Sequence, residues 1–188
     1  GTEPMASPMT MAQLMSHSAG FGVSAVYADN NLAAGDLQDM IDILATLPLE
    51  TQPGTAWDYG PSVNIQGYIV EKLSGQSLDA YFAEHIFEPL GMVDTGFWVD
   101  PSKEARVVAV HTYNDAGEIM TEESQAIRTE KPAFLSGSGG LYSTAKDYWR
   151  FAQAVANGGE LDGARGSCRG DDSFAETGSV AATGRHRR

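Results

Sequence analysis

"WDYGPSVNIQGYIVEKLSGQSLDAYFAEHIFEPLGMVDTGFW", residues 57–98, decides the reading of this chain. Apolar side chains at Ile65, Tyr68, Ile69 and Leu73 recur at helical spacing. They predict a helix from about Ser62, closed by Ser74 and Gly75, because glycine alone relaxes without strain into the left-handed cap. A second helix is predicted from Ser77, with Leu78, Tyr81, Phe82 and Ile86 as its apolar stripe and Pro89 beyond its end. Tyr59 stands just before the first of these helices. It is either a packed aromatic at a helix start or a group that moves protons.

Outward from this stretch, the pattern stays mostly helical. Thr10 and Gln13 form a capping box for a helix with Met11, Leu14 and Met15 on its apolar side. Asp36 caps a helix whose stripe is Leu37, Met40, Ile41 and Leu44. Between them, residues 18–35 are rich in Gly, Ala and Asn and read as a long loop. "RVVAVHTYNDAGEIM", residues 106–120, alternates at Val108, Val110 and Thr112 around the turn residues "NDAG", so a β-hairpin is expected. "SGSGGLYS", residues 136–143, is a glycine-rich approach to a last helix. That helix has Thr144 and Asp147 as a capping box, and Tyr148, Phe151, Ala152 and Val155 as its stripe. Residues 1–165 are read as one domain. The segment 166–188 has almost no large apolar residue, and it is expected to be a disordered or out-of-frame tail.

Bulk composition excludes several classes. The 188 residues carry a formal net charge of −13, which repels phosphate backbones and argues against nucleic acid as a partner. No apolar run is long enough for a membrane span. The single cysteine, Cys168, leaves no internal disulfide and few zinc spacings. His17, His85, His111 and His186 are scattered, so no metal and no cofactor is expected. Asp36, Asp39 and Asp42 repeat at helical spacing and read as a solvated face. No secretory leader is visible, and the compartment stays open.

Three stretches, taken in order, resemble one family. They are "MTMAQLMSHSAGFG" (9–22), residues 53–98, and "GSGGLYSTAKDYWRFAQAVANGGELDG" (137–163). They are similar to the middle of the β-lactamase-related serine hydrolases: class C β-lactamases, D-alanyl-D-alanine carboxypeptidases and family VIII carboxylesterases. "EHIFEPLGMVDTGF" and "GGLYSTAKDYWRFAQ" are the most specific parts. The resemblance implies the β-lactamase/transpeptidase-like α/β (α+β) fold, of which this chain would be mostly the helical region plus a hairpin. It also implies that Tyr59 descends from the catalytic tyrosine. The β-lactamases and carboxypeptidases place an asparagine two residues after that tyrosine, and a glycine one position further along than here. In this chain Gly60 and Pro61 follow, and Gly67 comes eight positions after Tyr59, which looks like the family VIII esterases. Gly60 stands where those esterases usually have serine, and Asn64 where aspartate is common.

The implied chemistry is acyl transfer. The serine of an S-x-x-K motif attacks an ester or lactam carbonyl and becomes acylated, while the lysine and the tyrosine take up its proton. A free phenol has a pKa of about 10, so only about one in a thousand is ionised at neutral pH, and the lysine must be close. The family's motif precedes the "MTMAQLMSHSAG" region, where this sequence has only nine residues before Thr10 and no such motif. The chain therefore reads as an internal part of a larger enzyme. The one S-x-x-K present is "STAK", Ser143 to Lys146, and its reading is helix capping rather than a nucleophile. His17 is read as a satisfied structural residue rather than a triad member with Asp29 or Asp58. Trp57 is a candidate for the acyl pocket, against a plain packed aromatic.

The expected function is hydrolysis of small-molecule carboxylic esters, with Tyr59 as proton relay in the full-length parent. The alternatives are a β-lactam or D-amino-acid peptide hydrolase, or a non-catalytic truncated pseudoenzyme. Without the central sheet, the helices containing "IQGYIVEKL" and "YWRFAQAV" would expose apolar faces, so self-association is expected.

Overall fold

A computed structural model describes residues 2–22, 29–121 and 127–165 of the chain. Most helix starts follow from local chemistry. Helix α1 (Met11–Met15) begins at Thr10, whose hydroxyl accepts from Gln13 N while the Gln13 side chain returns to Thr10 N. Helix α2 (Leu37–Leu44) carries the same reciprocal box between Asp36 and Asp39. Two of the three aspartates of the solvated face therefore cap backbone N–H groups. Helix α3 (Ser62–Ser74) ends at Gly75, whose φ of 72° is the left-handed cap expected there.

Packing of these helices makes the larger of two apolar clusters. Leu14 of α1, Leu37, Met40 and Leu44 of α2, Ile65 of α3, Leu78, Phe97 and Leu135 form its centre. Met40 and Leu78 are fully buried, and each such side chain contributes about 1.5–3 kcal/mol by leaving water. The Tyr68 hydroxyl donates to Gln38 Oε1 at 3.0 Å and ties α3 to α2. Leu73, expected on the buried stripe of α3, is instead 84% exposed, because the apolar cluster reaches along that helix only as far as Val70. On α1, Met11 and Met15 are likewise exposed and only Leu14 is buried.

The next helix departs from the regular spacing. Helix α4 (Leu78–Phe82) passes into a π turn (Ala83–Phe87), with Glu88 N donating to Ala83 O five residues back. One extra residue in the turn rotates the downstream side chains by about a quarter of a turn or more. Phe87 is thereby buried, where the uninterrupted stripe would have buried Ile86. Phe87 joins Leu90, Met92, Ala154 and Leu161 in a second cluster. Phe82 links the two clusters, edge-on to Phe87 and stacked on Phe97.

Helix α5 (Ala145–Ala156) starts at Thr144, which accepts from Asp147 N as expected, but the other half of the box is absent. The Asp147 carboxylate points instead to Asp94 N at 2.7 Å and Thr95 Oγ1 at 3.0 Å. That tie sets the buried side of α5 to Asp147, Phe151 and Ala154 and leaves Tyr148, Ala152 and Val155 of the expected stripe in solvent. Strands are few. β1 (His111–Tyr113) pairs antiparallel with β2 (Ile119–Thr121), so the expected hairpin exists but starts later than the Val108–Val110 alternation suggested. Its turn is closed by Asn114, whose side chain accepts from Ala116 N and Glu118 N. β3 (Glu160–Leu161) and β4 (Ala164–Arg165) form a second short hairpin. The tail from residue 166 lies outside the described residues.

Candidate active site

Tyr59 is reached by a run of backbone pairing. The chain after α1 and the chain before α3 lie side by side: Glu50 N donates to Gly20 O, Gly54 N to Ser18 O and Asp58 N to His17 O, at 2.8–2.9 Å. This pairing holds His17 at a φ of 55°, a left-handed conformation unusual for a residue with a side chain. It places the imidazole against the Tyr59 ring, with centroids 4.8 Å apart and planes at 27°. Trp57 meets the same imidazole edge-on at 6.1 Å. Tyr59 and Trp57 are nevertheless 58% and 67% exposed, so both rings are largely open to solvent. Among the described residues, none hydrogen-bonds to the Tyr59 hydroxyl.

Gly60, a departure from the esterase pattern, has a steric reason. A Cβ there would lie 2.9 Å from the Gly22 carbonyl oxygen, so the two segments can approach this closely only with glycine. Pro61 follows as the N-cap of α3 without a side-chain cap bond, and Ser62 is buried. On the first turn of α3, Asn64 Oδ1 accepts from Ser136 Oγ at 2.9 Å and from Ser138 N at 3.0 Å. The glycine-rich segment is thus laid against the helix that Tyr59 precedes. Its far end is held by Arg128, which lies 5.4 Å over the Tyr142 ring and donates to Gly140 O.

His17 differs from its reading as a satisfied structural residue. Its Nδ1 is enclosed with no hydrogen-bond partner among the described residues, and neither Asp29 nor Asp58 bonds to the imidazole. Its contact with Tyr59 left no signal in the sequence, since a stack between loops 42 residues apart has no spacing rule. The Asn64–Ser138 tie was equally illegible.

Ser143 sits elsewhere. Its hydroxyl lies 2.9 Å from Thr95 Oγ1 and reaches the Thr144 carbonyl at 3.4 Å, while Lys146 is exposed. It borders a cleft of about 490 Å³ walled by Phe87, Phe97, Trp98, Val108 and Tyr142. Tyr59, Trp57 and His17 are not among its lining residues, so the cleft is separate from the tyrosine site. On its rim, hydrogen bonds from Arg106 and then Lys103 hold the Asp94 carboxyl down at about 2. Among the described residues no group of three His, Cys, Asp or Glu could hold a metal ion.

The family model described as Beta-lactamase matches residues 2–178. Esterase EstB of Burkholderia gladioli is 31% identical over 189 residues, covering 86% of this chain and 47% of that protein. The putative penicillin-binding protein PbpX of Bacillus subtilis is 30% identical over 158 residues, covering 82% of this chain and 37% of that protein. Among solved structures, EstCE1, described as a hydrolase with promiscuous acyltransferase activity, superposes with a TM-score of 0.68 at 20% identity. That superposition covers 88% of this chain and 51% of EstCE1, and it bears out the β-lactamase/transpeptidase-like fold. The chain spans less than half the length of these two curated relatives.

Proposed function

Because this chain belongs to the beta-lactamase family, we propose that it carries the proton-relay segment of a serine hydrolase acting on small-molecule carboxylic esters. The observation that supports this most is the exposed Tyr59 ring, backed by His17 and flanked by the exposed Trp57. In the proposed reaction, a serine hydroxyl attacks the ester carbonyl as its proton passes to the Tyr59 oxygen, which takes part as the phenolate and would need the lysine of the S-x-x-K motif close by. The carbonyl re-forms, the ester C–O bond breaks, and Tyr59 returns the proton to the departing alkoxide. Water then repeats the sequence on the acyl-enzyme and restores the serine. Trp57 offers an apolar face for the acyl or alcohol part. The one S-x-x-K within the 188 residues has its serine engaged with Thr95. The nucleophile is therefore assigned to a part of the protein other than the described residues.

The test is p-nitrophenyl butyrate turnover by the longest form of the protein that folds. Tyr59→Phe is expected to lower kcat by about 10²–10⁴-fold, the usual worth of a general acid–base. Ser143→Ala is expected to leave it unchanged. Full activity in Tyr59→Phe would sink the relay role, and loss in Ser143→Ala would move the nucleophile to "STAK". The likeness to the putative penicillin-binding protein supports a second reading, a β-lactam or D-amino-acid peptide hydrolase. Hydrolysis of nitrocefin in preference to the ester would favour it.

A further inference from the structure

Asn64 stands in the first turn of α3, five residues after Tyr59. Its Oδ1 accepts two bonds, from the Ser136 hydroxyl and the Ser138 backbone N–H. A backbone N–H can only donate, so the amide must face the loop with its oxygen and turn its NH₂ group away. Both lone pairs of that oxygen are then used. Between the two donors, Gly137 rests directly on the helix: a Cβ there would lie 2.5 Å from Val63 O and 3.4 Å from Gly67 Cα. The C-terminal end of the same loop is anchored independently, by Arg128 on Gly140 O and by the mutual backbone bonds of Tyr142 and Gly96. The N-terminal end follows the buried Leu135, and from Ser136 to Ser138 the polar tie to the helix is made by residue 64.

We infer that Asn64 is a positioning residue that fixes the 136–138 segment against the first turn of α3, the helix that Tyr59 precedes, and that it does so through its acceptor oxygen. The inference rests on the reading of Tyr59 as the reacting site, but its structural half can be tested without that reading. A carboxylate presents an acceptor oxygen in the same place and donates nothing. Asn64→Asp therefore keeps the loop in position. Asn64→Leu has nearly the same shape and no acceptor, which leaves the Ser138 N–H and the Ser136 hydroxyl unpaired against the helix. The loop then opens more often, and its amides meet solvent.

Amide hydrogen exchange on the chain as it stands reads this directly. Asn64→Leu is expected to speed exchange over residues 136–140 by roughly tenfold or more, the usual consequence of losing a partner for a covered N–H. Asn64→Asp is expected to remain within about twofold of the parent. Should Asn64→Leu fail to fold, Ser136→Ala removes one donor from outside the helix and is expected to give a smaller rise over the same residues. Equal exchange in parent and Leu variant (or in parent and Ser136→Ala), or an Asp variant as fast as Leu, would overturn the inference. In whatever length of the protein turns over p-nitrophenyl butyrate, the Leu variant is expected to raise KM with kcat held, and the Asp variant to restore it. A fall in kcat with KM unchanged would make Asn64 a fold residue only. Failure of the Tyr59 relay would show in Tyr59→Phe kinetics and would leave the exchange result standing.

Discussion

His17 is the residue whose replacement says most about the Tyr59 site. Three effects act on it, and comparing three variants separates them. Its ring stacks on Tyr59 at 4.8 Å, an aromatic pair worth about 0.5–1.5 kcal/mol beyond the area it buries. Its enclosed Nδ1 has no partner among the described residues, and an unmade hydrogen bond costs about 1–3 kcal/mol. Its backbone sits at φ 55°, which costs a residue with a Cβ roughly 1–2 kcal/mol. His17→Phe keeps the stack and the backbone cost while removing the orphan nitrogen, so it should hold stability level or raise it by about 1 kcal/mol. His17→Ala removes the same orphan nitrogen and keeps the backbone cost but loses the stack and the buried ring, so it should fall about 1–2 kcal/mol below His17→Phe. His17→Gly loses the same ring contacts but relieves the backbone, and should recover about 1 kcal/mol relative to alanine. Urea unfolding followed by tryptophan fluorescence measures all three. A Phe variant destabilised as much as Ala would refute the reasoning, because it would show that the imidazole nitrogens, not the ring face, carry the contact. An Ala variant as stable as the Phe variant would refute the stack as an energetic contribution.

Two further outcomes are expected. Hydrogen bonds from Arg106 and Lys103 depress the Asp94 carboxyl from an ordinary 3.8 to about 2 in the folded chain. A depressed carboxylate contributes stability above its unfolded pKa and loses it as pH falls through the folded one. Thermal midpoints should therefore drop between about pH 4 and pH 2, less steeply in high salt, and Asp94→Asn should remove that part of the slope. An Asn variant with the parent's acid profile would assign the slope to other carboxylates. Second, Leu73 on α3 and Tyr148, Trp149 and Val155 on α5 are 84%, 66%, 56% and 59% exposed, which favours self-association of the isolated chain. Sedimentation across a concentration series should show it. A monomer with a sharp, reversible, concentration-independent melt would contradict it.

What the sequence by itself determined here is local. The box at Thr10, the Asp36 cap, the left-handed close at Gly75 and the Thr144 cap each rest on bonds spanning three or four residues, so residue identity and spacing suffice to place them. The family, too, was legible, because "EHIFEPLGMVDTGF" and "GGLYSTAKDYWRFAQ" are specific strings and not periodic patterns. What only the tertiary structure decided depends on residues far apart in the chain. Asp147 faces Asp94 and Thr95 rather than closing its own capping box, and that choice turns α5 so that Tyr148 and Val155 meet solvent. The π turn at Ala83–Phe87 buries Phe87, because the second cluster, not the helical period, offers it a place. Tyr59 stood out by resemblance, but the His17 ring behind it and the Asn64 clamp on the helix that follows it did not. Each joins segments separated by 42 or 74 residues, and no spacing rule reaches that far when the contact is made by the fold around it.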